Sequence, residues 1–380
     1  MNTAAWMRRL TALPLFGLAG WLLLTYPVFR PGLAGLLLVV GMLMIRWPRL
    51  WLAILPAAVP LLELAHWSGR LFIEDLDLLF AFVLALRLWQ HTAGDPARRT
   101  RLPRAVHLVA LALAGSYGAS LVVGLFPWSN WGAPDMLANF LGQANALRLA
   151  KGFFWAAAFS PFVLRDFRDA PEEACRMVVG GMVAGGLAVG GMALWERGVW
   201  QALAHGRDLY QLLSPLLDFS TAYRVTGTFA EMNTGGEAID GFLGLAWPMM
   251  VLALALSRRP WALALSSLAL GLVIYSLVTT FSRGLYFSLG VAGAVWLFGL
   301  MRLVRAHRNE TGRSPVSLLP ILAPFAVAAL LLGYGYSQGG MLTLATGMLL
   351  FTAAAWLGWR PVARSLAWPL LVLLTLACVW

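Results

Sequence analysis

The chain has 380 residues, of which 60% are hydrophobic and only 12% are charged. This composition lies outside the usual range for soluble domains and predicts an integral membrane protein. The formal net charge of +11 would suggest nucleic acid as the partner of a soluble protein. Here the basic residues occupy short loops between apolar runs, so they indicate membrane topology and no nucleic-acid partner is expected.

Apolar runs of about the length that crosses a bilayer recur along the whole chain. They lack the period-two alternation of an outer-membrane barrel, so helices are the expected spanning elements. The predicted fold class is therefore all-α, a polytopic transmembrane helical bundle forming one integral-membrane domain over residues 1–380. Its second run is short enough to be a re-entrant segment, which would leave twelve spans of the thirteen predicted: 10–29, 33–46, 50–67, 71–90, 105–126, 149–164, 176–196, 239–257, 261–280, 285–301, 316–335, 340–358 and 365–380.

The positions of the basic residues predict the orientation of these spans. If the N-terminus is cytoplasmic, twenty of the 28 basic residues fall on the inner side and eight on the outer side. Cytoplasmic loops carry such an excess of arginine and lysine. The same assignment places Arg224 and Arg283 on the outer side.

Two polar clusters occur in the first third of the chain. Glu63 and His66 lie three residues apart, but two ligands are too few for a metal site, so a pair with each other or with a neighbouring helix is favoured. Glu74, Asp75 and Asp77 open the fourth span and could bind a cation or a proton. A solvated helix N-terminus, where acidic residues are favourable, is the preferred interpretation.

The run from Gly180 to Gly191 repeats small residues at spacings of four to five. Small residues on one face of a membrane helix let a neighbouring backbone approach closely. A nucleotide-binding loop is not indicated, because no strand precedes the run. We therefore expect a helix-packing face.

The longest polar segment is the predicted outer loop at residues 197–238. Arginine presents a planar fork that binds phosphate oxygens in pairs and stays charged, so arginines here could hold a diphosphate without a metal. Glycines at 227, 235, 236 and 284 would let the backbone approach a ligand. The alternative is that the two arginines reach lipid phosphates or pair with local carboxylates. The polar constellation consists of Arg224, Thr226, Thr228, Glu231, Asn233 and Glu237 from this loop and Ser282 and Arg283 from a later connection.

Two short motifs in this region carry a resemblance to a known family. They are Tyr223-Arg-Val-Thr-Gly-Thr-Phe229 and Thr280-Phe-Ser-Arg-Gly284, separated by a span that contains Trp247-Pro248. Their order and spacing, over roughly residues 220–300, resemble the core signature of the O-antigen ligase and O-antigen polymerase superfamily. The resemblance implies an all-helical membrane glycosyltransferase that uses neither metal nor cofactor. It would transfer glycan from an undecaprenyl-diphosphate carrier to an acceptor hydroxyl on the periplasmic face of a bacterial inner membrane.

The resemblance also implies roles for individual residues. Arg224 and Arg283 match the two arginine motifs of the family and would engage the donor diphosphate. The partners implied are the undecaprenyl-diphosphate-linked glycan donor, a glycan or lipid acceptor, and membrane lipids. The expected catalytic residues are Arg224, Arg283, Glu231 and Glu237, and the expected substrate-binding residues are Tyr223, Thr226, Thr228, Asn233, Asp240 and Ser282.

The sequence departs from the family at the acceptor side. The family's ligases carry a later periplasmic histidine that helps the acceptor hydroxyl lose its proton, and no histidine follows His307 here. Glu231, Glu237 and Asp240 are the candidates for this base, since a carboxylate at the edge of an apolar region can suit general-base work. The last apolar run reaches Trp380 with no polar tail, a pattern that suggests a missing C-terminal part.

The resemblance leaves several functions open. A polymerase for a lipid-linked polysaccharide and a ligase both fit the motifs. A transporter or flippase for an anionic lipid-linked substrate would show charges along a path at mid-membrane, and a non-catalytic scaffold would not require the two arginines to be close. An enzyme requires both guanidinium groups to face one outward-opening cavity, within about 10 Å of each other, because paired recognition of a diphosphate needs both.

Overall fold

The computed structural model describes residues 3–27, 29–61, 75–90, 104–126, 143, 145–204, 206, 216, 224–227, 229, 237–257, 259–282 and 284–289. Every regular element within these ranges is helical, as the composition predicts. A π-helical turn at Glu196–Trp200 continues α7. The helices are α1 (Thr3–Thr25), α2 (Arg30–Arg46), α3 (Trp51–Ala58), α4 (Asp75–Gln90), α5 (Arg104–Leu125), α6 (Asn145–Asp169), α7 (Pro171–Trp195), α8 (Gln201–Ala204), α9 (Glu237–Leu256) and α10 (Pro260–Thr279).

Among the described helices, three are long and apolar enough to cross a membrane: Val106–Leu125, Pro171–Trp200 and Pro260–Thr279. Two shorter apolar helices are Arg9–Thr25 and Ala238–Leu254. Only 6% of the first span is buried within the protein, although its mean hydropathy is 1.9. An exposed helix of this apolarity is stable in contact with lipid, so the protein is a helical membrane protein.

A described helix overlaps each of the first nine predicted spans, and helical residues 284–289 stand at the start of the tenth. The second predicted span corresponds to α2, which has 17 residues, at the lower limit for crossing the bilayer. The predicted spans from residue 316 onward, and the cluster of Glu63 and His66, lie outside the described residues.

The chain divides into two compact units, residues 1–185 with 228–230 and residues 186–227 with 231–380. Helix α7 begins in the first unit and ends in the second. In the first unit, α1 packs against α4 around a core built on aromatic rings. Trp51 stacks on Phe159 with ring centroids 5.4 Å apart, and Phe80 meets the edge of Trp155 at 5.8 Å.

Two ion pairs connect α4 and α6 in the first unit. Near the beginning of both helices, Lys151 Nζ lies 2.7 Å from the Asp77 carboxylate. Near their ends, Arg87 donates two hydrogen bonds to Asp166, at 2.8 and 2.9 Å, and a third to the carbonyl of Pro48. The N-terminal parts of the two helices are joined by one pair and the C-terminal parts by the other, so α4 and α6 run parallel.

The predicted solvated acidic helix N-terminus at Asp75 and Asp77 is wrong. The two residues are only 2% and 6% exposed. Asp77 accepts hydrogen bonds from Lys151 and from Trp155 Nε1, and Asp75 accepts one from the Tyr26 hydroxyl. Lys151 and Trp155 belong to α6 and Tyr26 directly follows α1, and together these partners replace water around the carboxylates. Glu74 lies outside the described residues.

In the second unit, α9 and α10 pack along one continuous seam. Most buried positions on both helices recur at spacings of three and four, which is the helical period. Hydroxyl groups in this seam bond backbone carbonyls of the preceding turn, as Ser276 Oγ does with Leu272 at 2.9 Å, so they are buried without losing a hydrogen bond. The buried positions are Ile239, Phe242, Leu243, Ala246, Met250 and Ala253 on α9 and Ser266, Ala269, Val273, Ser276, Leu277 and Thr279 on α10, together with Thr280, which follows α10 directly.

The glycine run in α7 is a close-packing face, as predicted. A Cβ added at Gly181 would lie 2.2 Å from the carbonyl oxygen of Ala53 in the first unit. A Cβ added at Gly190 would lie 2.3 Å from the Cβ of Leu272 in the second unit. Neither contact leaves room for a side chain, because both obstructing atoms are on or next to the backbone.

Gly190→Ala should destabilise the protein by about 1–3 kcal/mol, because the added methyl group overpacks the contact with Leu272. The neighbouring Gly191 has open space around it, so Gly191→Ala is a matched control that should be neutral or stabilising by up to about 1 kcal/mol. Thermal unfolding in detergent measures both. Equal melting temperatures for the two variants would contradict the close contact.

Asp166→Ala should destabilise the protein by about 3–5 kcal/mol, since it leaves the Arg87 guanidinium buried without its carboxylate. Glu172→Ala removes the partner of Arg176 in an exposed pair of the same charge type and should cost no more than about 0.5 kcal/mol. The same unfolding assay compares the two. A loss of stability in Asp166→Ala no larger than in Glu172→Ala would mean that water can replace the carboxylate beside Arg87.

Candidate functional site

The two arginine motifs of the sequence are joined in the second unit by hydrogen bonds. Arg224 Nε donates to the carbonyl of Thr280 at 2.8 Å, and the backbone N–H of Val225 donates to the carbonyl of Thr279 at 3.3 Å. Those carbonyls stand at the C-terminal end of α10, where the helix leaves its last acceptors unsatisfied. The loop motif therefore completes the hydrogen bonding of the helix from which the second motif continues.

Beyond α10, the chain turns sharply into another helical segment. Phe281 has a φ of 49°, in the left-handed region that bulky residues rarely adopt. Ser282 then caps the helical residues 284–289, because its Oγ accepts the N–H of Leu285 at 3.3 Å and its carbonyl accepts that of Tyr286. Arg283 lies outside the described residues, but its two neighbours in the chain are fixed by this turn.

Arg197 supports the turn at Phe281. The arginine is only 2% exposed, and its guanidinium carbon lies 5.9 Å from the centroid of the Phe281 ring. An arginine above an aromatic face is attracted by the ring quadrupole, most strongly where water is excluded. A buried arginine thus lies against the residue with the unfavourable backbone conformation, and strain of this type clusters at functional sites.

Glu196 fixes the loop that carries Arg224. Its carboxylate accepts the backbone N–H of Gly227 at 2.7 Å and that of Thr226 at 3.1 Å, with the Thr226 hydroxyl at 3.4 Å. Hydrogen bonds to a charged acceptor are roughly twice as strong as neutral ones. Gly227 has a φ of 62°, which a residue without Cβ adopts at little cost. Residues 224–227 are consequently preorganised.

Sequence reasoning missed Glu196 and Arg197 as site residues. Both belong to the π-helical turn that ends the α7 span, and such insertions occur frequently at functional sites. The signal in the sequence was an adjacent acid and base directly after a long apolar run. Their partners, which are the loop at Thr226 and the ring of Phe281, are distant in sequence, so the sequence alone did not indicate these contacts.

The guanidinium of Arg224 is partly free to bind a ligand. Its side chain is 40% exposed, and Nη2 lies 3.5 Å from the Asp240 carboxylate, at the limit of a hydrogen bond. Nη1 has no hydrogen-bond acceptor within the described part of the chain. The pairing with a local carboxylate, which the alternative interpretation predicted, is present but weak in geometry.

The remaining predicted site residues are only partly located. Thr226 and Ser282 lie within the joined motifs, and Asp240 of α9 contacts Arg224 from outside them. Glu237 is the first residue of α9, three positions before Asp240. Outside the described residues are Tyr223, Thr228, Glu231, Asn233 and Arg283. Across the ranges that are described, no three His, Cys, Asp or Glu residues are grouped so that they could hold a metal ion.

No protein family model matches the chain, and neither a curated protein nor a solved structure is detectably similar to it. The resemblance to the O-antigen ligase and polymerase superfamily therefore depends on the two arginine motifs and their order in the chain. The hydrogen bonds that join the first motif to the end of α10 are observed in the structure and do not depend on that resemblance.

Glu196→Gln should loosen residues 224–227, because the amide cannot replace the charged acceptor for both N–H groups. We expect the Thr226 and Gly227 amides to lose at least about tenfold in protection from hydrogen exchange, as the loss of roughly 1.5–3 kcal/mol predicts. Glu172→Gln is the control, since that acid is exposed and paired one turn away. Unchanged protection in Glu196→Gln would show that the carboxylate does not hold the loop.

Proposed function

We propose that the protein is a membrane glycosyltransferase that polymerises or ligates glycan from an undecaprenyl-diphosphate-linked donor, in O-antigen or exopolysaccharide assembly. The reaction would occur on the periplasmic face of a bacterial inner membrane, where the excess of basic residues in the opposite loops predicts the two motifs to lie. Neither a metal nor a cofactor is required in this proposal.

The observation that carries the proposal is the hydrogen bond from Arg224 Nε to the carbonyl of Thr280. It connects the first motif to the segment that leads into Arg283, although the two are separated by α9 and α10. A scaffold would not require this connection. A diphosphate ligand would, because two arginine forks must approach its oxygens from neighbouring positions.

The proposed reaction depends on stabilising the negative charge that develops on the leaving diphosphate. As the acceptor oxygen forms its bond to the anomeric carbon, the bond from that carbon to the diphosphate breaks and negative charge develops on the leaving group. Arg224 and Arg283 would stabilise this charge, and Arg224 would do so from a position that its hydrogen bond to Thr280 already sets. The acceptor proton would pass to a carboxylate, for which Asp240 is the candidate located beside Arg224, with Glu231 and Glu237 as the other two.

Arg224→Lys and Arg283→Lys test the proposal, since lysine keeps the charge but loses the fork. Each should lower the yield of polymer by about ten- to a hundredfold, because one stabilising donor of a transition state is lost. Polymer formation from the lipid-linked donor is measured on membranes of cells that carry the variant as their only copy. Arg207→Lys, in the same predicted loop but outside both motifs, is the matched control.

Two outcomes would contradict the proposal. Normal polymer from both variants would exclude clamping of the diphosphate by the arginines. Variants that retain polymer formation in detergent but leave the lipid-linked donor on the cytoplasmic face of intact membranes would instead indicate a flippase.

A further inference from the structure

A polar cavity lies in the first unit at the C-terminal ends of α2 and α4. Its volume is about 360 Å³, within the size range of small-molecule sites. Its walls contain four arginines and three acids, and each acid forms an ion pair with one arginine. The fourth arginine, Arg46, has no acidic partner among the described residues, and its guanidinium carbon lies 5.4 Å from the ring centroid of Trp47. The cavity therefore favours an anion.

The wall of this cavity also contains buried polar atoms without partners. Arg87 Nε and Gln90 Oε1 make no hydrogen bond to any described residue. Arg87 itself is only 8% exposed. Buried polar atoms are almost always hydrogen-bonded, so such a wall is typical of a surface that a ligand or its hydration water completes.

An apolar groove adjoins the cavity and shares Pro48 and Gln90 with it. The groove has a volume of about 710 Å³. Its other lining residues are Leu13 and Phe16 of α1, Ile45 of α2, and Leu86 and Trp89 of α4. Ile45 and Trp89 lie one residue before the ends of α2 and α4, and Leu86 lies one turn before the end of α4. Leu13 and Phe16 lie in the middle of α1, so the groove extends from the polar cavity along that helix.

A second arginine stands at the rim of this groove. The guanidinium carbon of Arg9 lies 5.6 Å from the ring centroid of Trp89. Arg9, like Arg46, is exposed and forms no ion pair within the described residues. Two uncompensated arginines, each above a tryptophan, thus stand where the polar and apolar spaces meet. Tryptophan and arginine at helix ends are typical of the level of lipid headgroups.

We propose that the cavity and the groove together bind one anionic phospholipid. The phosphodiester lies beside Arg46 and Arg9, and an acyl chain occupies the groove along Leu13 and Phe16. Basic pockets between membrane helices recognise anionic headgroups in this way. A soluble phosphate would use only the polar space, and a zwitterionic lipid would gain less from the two arginines. This site is separate from the proposed active site and does not depend on it.

Lipid binding to the purified full-length chain, measured by native mass spectrometry, tests the proposal. Phosphatidylglycerol should bind in preference to phosphatidylethanolamine with the same acyl chains. The double variant Arg9→Gln/Arg46→Gln should weaken phosphatidylglycerol binding by about 25-fold, at about fivefold for each charge. Arg176→Gln is the control, because that arginine is exposed, is predicted to lie on the same face, and lines neither space.

Ile45→Trp tests the groove without touching the charges. Ile45 is exposed, so the larger ring should fill the groove without disturbing the core and should weaken long-chain lipid binding by about tenfold. This variant also decides the question if the double variant fails to fold. Equal binding of the two lipids, equal loss in Arg176→Gln, or binding of glycerol phosphate as tight as that of the lipid would overturn the proposal.

Discussion

A charge buried among apolar helices must be paired or hydrogen-bonded, because the low dielectric of the surroundings makes an isolated charge very costly. This constraint determines which helices of the first unit can be neighbours. Arg87 at the end of α4 requires Asp166 near the end of α6, and Asp77 at the other end requires Lys151. Packing of apolar side chains alone would tolerate a shift of one helix along the other. The two ion pairs form together only when α4 and α6 keep one position along each other.

The same constraint shapes the candidate site in the second unit. The buried carboxylate of Glu196 accepts hydrogen bonds from the backbone N–H groups of Thr226 and Gly227, so a charge in the turn that follows α7 fixes a loop thirty residues later. That loop in turn presents Arg224 to the free carbonyl of Thr280. The hydrogen bonds of Glu196 fix the loop, and the hydrogen bond of Arg224 to Thr280 fixes the guanidinium before any ligand binds. Preorganised charge of this kind is what electrostatic catalysis requires.

The sequence predicts features with a local signal and misses those that depend on distant partners. Hydropathy located every helix through α10 except the short α8, and the spacing of small residues identified the close face at Gly181 and Gly190, because both properties repeat within a few turns. Asp75 and Asp77 were wrongly expected to be solvated, since local spacing shows three acids at a helix start and does not show Tyr26, Lys151 or Trp155. Glu196 was missed for the same physical reason. Its ligands are backbone N–H groups, which every non-proline residue carries.

The contact between Arg224 and Asp240 connects the two halves of the proposed reaction. At 3.5 Å the pair is loose, and the arginine is 40% exposed, so a diphosphate can compete for the fork with a geometry that the single carboxylate does not achieve. In the proposed reaction the diphosphate would bind the Nη groups while Nε stays on the carbonyl of Thr280. The Asp240 carboxylate would then lie beside the bound donor, close to the acceptor oxygen whose proton the proposed reaction must remove.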